Sequence, residues 1–169
     1  GPEDRNGARN ADEITLWRHY ISGGDLPWLC DDAGRCGGLA EGKRFVIAGD
    51  LNNDPVDGDG HHDAILELLE HPRVLRMATP RSQGGAEKAR AYAAAGLLHR
   101  GAPEHVTGDF GPRSGAMRLD YVIPSTGFQA TGSGVFWPAS GEPAAAIADG
   151  SDHHLVWVDL TAGRTAADD

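Results

Sequence analysis

Three short acidic motifs carry residue types that can act on a phosphate: Gly49-Asp50-Leu51-Asn52, Arg118-Leu119-Asp120-Tyr121 and Ser151-Asp152-His153. Each stands where an apolar, strand-like run begins or ends. Three carboxylates, one amide and one imidazole are therefore candidates to meet at one sheet edge. A carboxylate holds a divalent cation or takes a proton from water, while an amide, which does not ionise, orients a phosphate oxygen or the attacking water. Asp50 and Asn52, two apart past a strand, point the same way by alternation. They are also a ready pair for an Asx-turn, in which the side chain bonds its own backbone. Asp120 interrupts an apolar run and needs a partner to offset its desolvation. Arg118 and Arg113 are the structural candidates and a histidine the functional one, since a carboxylate fixes the tautomer of an imidazole and stabilises its cation. Alternation turns His153 and His154 to opposite sides, so only one of them faces the Asp50 end; both also read as surface residues at a strand start.

The elements that position these residues follow from pattern. Asn10, with Glu13 three residues on, predicts the capped start of a helix whose buried face is Ile14, Trp17 and Ile21, and Ser22-Gly23-Gly24 ends it. Arg44 to Ala48 reads as a short strand buried on both faces. Asp50 to Gly60, with Pro55 and two Asp-Gly pairs, is loop. A helix over His62–His71 follows, with Ile65, Leu66, Leu68 and Leu69 available for burial, and Val74-Leu75 starts a short strand. Thr79 to Gly85 reads as loop, and the Ala-rich Ala86 to Ala95, poor in large apolar residues, as a surface helix or ordered loop. Strands are predicted over Leu119–Ile123, Phe128–Trp137 and His154–Leu160. Interleaved helices and strands without a repeat favour an α/β or α+β layered fold, with residues 1–160 as one domain and 161–169 as a polar tail.

Other clusters read as structural. Asp54, Asp57 and Asp59 lack the spacing and closing glutamate of an EF-hand and are expected to form a solvated turn. His61 and His62 read as surface residues; His99 and His105 have no partner at ligand spacing and receive no role. Cys30 and Cys36, the only cysteines, flank a turn-type stretch. A disulfide across it suits an oxidising compartment, the alternative being two free thiols.

At 169 residues the chain has room for one domain with a core. Its net charge of −10, from 25 acidic and 15 basic residues, argues against a broad polyanion-binding face, so a phosphate must be met locally by arginine or a bound cation. No run nears the roughly 18 to 20 apolar residues of a membrane span, and no basic-then-apolar leader opens the chain. The polar Gly1 to Gly7 reads as the middle of a loop, with sequence expected upstream.

The ordered triplet of motifs resembles the endonuclease/exonuclease/phosphatase superfamily of deoxyribonuclease-like metal-dependent phosphoesterases. The opening segment with its helix further looks like a bacterial branch often exported, so the resemblance runs nearly from the start to Leu160. It implies the C-terminal half of a four-layered α/β sandwich whose N-terminal half, with its asparagine and metal-binding glutamate, would be a missing partner. It also implies an extracellular or periplasmic location. By motif, Asp50 would activate or position water, Asn52 would orient water and phosphate, and Asp152 would lie at the metal with Asp50. His153, held by Asp120, would stabilise or protonate the phosphoryl oxygens, and Arg5 with Asn52 would contact substrate. The expected cofactor is Mg²⁺, or Mn²⁺ or Ca²⁺, and the substrate a phosphate ester, nucleic acid or small molecule, with the acidic balance tilting toward small esters. The competing expectation is a non-catalytic half-domain or degenerate interaction module.

Overall fold

The computed structural model describes residues 3–163, in which helices and three two-stranded antiparallel sheets make a mixed α/β fold. Helix α1 runs Arg5–Ser22 and strand β1 Val46–Asp50; α2 covers His62–Leu69 and α3 Gln83–Ala94. A short 3₁₀ turn at Pro103–His105 leads into β2 (Gly108–Asp109), the one-turn α4 (Gly111–Ser114) and β3 (Ala116–Met117). Then come β4 (Asp120–Pro124), β5 (Phe128–Val135), α5 (Ala145–Ala148) and β6 (Val156–Ala162). The sheets pair β1 with β4, β2 with β3, and β5 with β6. No helix among the described residues is long and apolar enough to cross a membrane.

Two cores hold these pieces. Ile14 and Ile21 of α1, Ile65 and Leu68 of α2, Ile47 of β1, and Tyr121 and Ile123 of β4 form the larger one. Each fully buried aliphatic side chain there contributes roughly 1.5 to 3 kcal/mol. Ala89 of α3, Val106, Ala116, Val135, Trp137 and Ala148 form the second.

Several expectations change. The first helix begins five residues before Asn10, after Asp4 in a left-handed conformation (φ 42°). Asn10 is not a cap: its amide donates to the Leu51 carbonyl at 2.8 Å and its oxygen accepts from Asn53 Nδ2 at 3.1 Å. Trp17 is 42% exposed, leaving Ile14 and Ile21 as the buried face. Strand β1 is shifted by two residues and buries one face only, through Ile47. Val74 makes an isolated bridge to Ser125.

Helix α3 starts inside the stretch read as loop, with Ser82 accepting from the Gly85 N–H as its cap. It is no surface helix. Gly84, Gly85, Ala86 and Ala89 are buried because their small size lets Trp137 and Val106 close onto the helix; a Cβ on Gly84 would meet the Trp137 ring at 2.5 Å. At the C-terminal end, β6 runs to Ala162, two residues into the stretch read as tail. Residues 164–169 of that tail, and Gly1 and Pro2, lie outside the described residues.

Asp54 and Asp57 also depart from expectation, being buried rather than solvated. The Asp54 carboxylate accepts from the backbone N–H of Val56, Asp57 and Arg118. That of Asp57 accepts from Arg100 and Gly101 N–H, and His99 Nδ1 lies 3.2 Å from it. Loop amides have no ladder to join, so these acids supply the missing acceptors. His99 therefore has a partner, 42 positions away in the chain, and only Asp59 of the three acids is exposed.

Candidate active site

Strands β1 and β4 pair so that Asp50 stands directly opposite Asp120. Both occupy the face away from Ile47, Tyr121 and Ile123, which the large core covers. Gly49, just before Asp50 in the strand, adopts φ +142°, a value that favours glycine. Asn52 adopts φ 47°, a left-handed conformation that asparagine tolerates better than most residues, and its N–H donates to Asp50 Oδ1 at 2.6 Å. The Asx-turn thus forms. It engages one oxygen of Asp50.

His153 is brought to this pair by the segment before β6. The segment before β6 is fixed by an isolated bridge from Gly108 to His153 and by the Asp109 N–H donating to the Asp152 carbonyl at 2.8 Å. His153 Nδ1 then lies 3.0 Å from both oxygens of Asp120. The carboxylate accepts, so Nδ1 carries hydrogen and Nε2 is the nitrogen free for other chemistry. Phe110 packs edge-on against the imidazole, with ring centroids 5.2 Å apart.

One ligand atom each from Asp50, Asp120 and His153 lies within 4.8 Å of the others. Partial burial pulls the His153 pKa down, but the hydrogen bond to Asp120 and the charges of Asp120, Asp50 and Asp152 outweigh it, and the net shift is upward. Neither Asp50 nor Asp120 pairs with lysine or arginine among the described residues. Arg118, one of the structural partners considered for Asp120, stacks over the Tyr121 ring at 4.6 Å instead. The donor set, mostly carboxylate oxygen with like charges opposite one another, fits a hard divalent cation.

The other candidates fall around this group. Asp152 is exposed, contributes its carbonyl to Asp109, and its carboxylate stays outside the three-residue group. Asn52 lines a groove of about 350 Å³ with Asp50, Asn10 and Trp17. It also borders a larger open groove of about 700 Å³ that includes Arg5, Asp54, Asp57 and Asp59. Arg5 sits there away from the Asp50 group, paired at 2.9 Å with Glu3. His154 is buried, not at the surface: it stacks on Trp137 at 3.7 Å, and burial lowers its pKa. Cys30 and Cys36 form a disulfide closing their turn.

Sequence reasoning overlooked Thr107, whose hydroxyl donates to Asp120 Oδ2 at 2.7 Å, and Asp109, which joins Lys88 and Tyr92. A lone threonine carries no spacing signal. The acidic Gly108-Asp109-Phe110 step resembles the motif ends and was the only available hint.

The endonuclease/exonuclease/phosphatase family model matches residues 4–153, and the chain belongs to that family. Its members are, in general, metal-dependent hydrolases of phosphate esters. Neither a curated protein nor a solved structure matches the chain.

Proposed function

We propose that the protein hydrolyses a phosphodiester or phosphomonoester by direct attack of water, with Asp50, Asn52, Asp120 and His153 as the catalytic residues. The observation that carries this reading is the convergence of Asp50, Asp120 and His153 within 4.8 Å, with the imidazole held by Asp120. Asp50 orients the water and takes its proton. The Asn52 amide directs the water and a phosphoryl oxygen. His153, as the imidazolium that Asp120 stabilises, donates its Nε2 proton to the phosphoryl oxygens as negative charge grows there and is left as neutral imidazole with Nδ1–H on Asp120. Asp50 would hold a divalent cation, with Asp152, outside the converging group, supporting its water shell; Mg²⁺ is preferred with Mn²⁺ or Ca²⁺ as substitutes, and the bound ion would neutralise charge on the phosphate and leaving oxygen.

The acidic net charge favours a small ester over a long nucleic-acid footprint. Arg5 and Asn52, on one groove, would contact the part of the substrate beyond the reacting phosphate. Val46 at 43% exposure and Trp157 at 41%, on strands of two-stranded sheets, support completion of a four-layered sandwich by a further half of the fold. The same exposed residues favour a second reading, a non-catalytic module that uses this face to assemble. The Cys30–Cys36 disulfide supports an oxidising, extracellular or periplasmic setting.

The test is hydrolysis of bis(p-nitrophenyl) phosphate and p-nitrophenyl phosphate with Mg²⁺ or Mn²⁺, with and without EDTA. Release of nitrophenolate that stops in EDTA supports the enzyme. Its absence with both cations, even after the further half is supplied, supports the module.

A further inference from the structure

We propose that Thr107 is a positioning residue for the Asp120–His153 pair, aligning the carboxylate that holds the imidazole; this inference rests on the catalytic reading of that pair. Thr107 is 2% exposed, and its hydroxyl oxygen has three neighbours at hydrogen-bond distance. The backbone N–H groups of Leu119 and Asp120 both lie 3.0 Å away, and Asp120 Oδ2 lies 2.7 Å away. An N–H can only donate, so these two fill the lone pairs of the hydroxyl oxygen. Its single hydrogen therefore goes to Asp120 Oδ2. The direction of every bond is fixed without seeing a hydrogen.

Asp120 consequently accepts from two donors, the Thr107 hydroxyl and His153 Nδ1, and both constrain its carboxylate. The backbone of the same residue ties the two parent segments together. The Thr107 N–H donates to the Met117 carbonyl at 2.8 Å, and its carbonyl accepts the His154 N–H at 2.8 Å. The backbone of one residue thus bonds to the end of β3, three residues before Asp120, and to the segment carrying His153. Serine keeps the hydroxyl; valine keeps the branched shape and loses it. That contrast separates the bond from the packing.

The experiment compares wild type, Thr107→Val and Thr107→Ser in the full chain, with bis(p-nitrophenyl) phosphate and Mn²⁺. Thr107→Val is expected to lower kcat by about 10-fold or more with KM changed by less than about 3-fold, and Thr107→Ser to stay within about 3-fold of wild type. On an Asp120→Asn background the valine substitution should cost less than about 2-fold, because its effect passes through that carboxylate. A folded Thr107→Val enzyme with wild-type kcat, or an undiminished loss on the Asp120→Asn background, overturns the proposal.

A second readout does not need activity. The His153 Nδ1 proton, observed by NMR, should shift or broaden in Thr107→Val and keep its position in Thr107→Ser. If wild type fails to cleave the ester, the catalytic reading fails while this readout still decides the role of Thr107: a resonance unmoved by valine overturns it. If Thr107→Val does not fold, the Thr107 hydroxyl proton of wild type decides. Slow exchange with solvent and proximity to Asp120 support the proposal, and rapid exchange overturns it.

Discussion

Asp50 and Asp120 face each other as register partners across the β1–β4 pair, two carboxylates where an antiparallel ladder disfavours like charges. Among the described residues, His153 is the one basic side chain bonded to either, and it is bonded to Asp120 alone. The pair is therefore built to take additional positive charge.

A divalent cation is expected to stabilise the fold. Raising Mn²⁺ to 100 times its Kd should add about 2.7 kcal/mol, visible as a rise in Tm of several degrees in differential scanning fluorimetry. Asp50→Asn should shrink that rise. An equal rise in the variant would place the cation elsewhere.

His154→Ala is expected to damage stability more than chemistry, since the ring stacks on Trp137 and its nitrogen carries no charge to the Asp50 group. Burial holds its folded pKa below the ordinary 6.5. Below about pH 6.5 the unfolded chain takes a proton that the folded ring resists, so the contribution of His154 is present above that value and is lost as pH falls. His153, with its pKa raised, acts in the opposite sense: its contribution is present below 6.5 and is lost as pH rises through its folded value. Urea unfolding at pH 7.5 and 5.5 separates them. Wild type should lose more stability on acidification than His154→Phe, and identical slopes would contradict the assignment.

Asp57→Ala leaves the Arg100 and Gly101 N–H groups without their acceptor. At about 1 to 3 kcal/mol for each orphaned donor, the loss should be roughly 2 to 6 kcal/mol. Asp59→Ala, on an exposed side chain, should fall within about 0.5 kcal/mol of wild type. Equal effects in chemical denaturation would return both acids to a solvated turn.

These contrasts show where sequence was readable. The strand containing Asp120 and the two leucine and isoleucine positions of α2 were legible because apolar periodicity is a local signal. Asp54 and Asp57 were not, because what buries them is a set of backbone amides contributed by the 98–118 region, which has no signature at Asp54 itself. Asn10 had the right type for a cap, but its side chain is used by Leu51 and Asn53, and the helix extends past it to Asp4. The three acidic motifs were visible at once. That Asp50, Asp120 and His153 meet while the Asp152 carboxylate stays outside depends on strand register and on the Gly108 bridge, which only the folded chain reveals.

The most direct measurement is kcat for an activated phosphate diester in wild type and in His153→Ala, with folding matched by circular dichroism. A positioned acid-base group is worth about 10² to 10⁴ in rate, so the alanine variant should lose at least about 100-fold while keeping its fold. A folded His153→Ala protein that cleaves at the wild-type rate would contradict the assignment of the imidazole, and with it the Asp120–His153 pair as the centre of the chemistry.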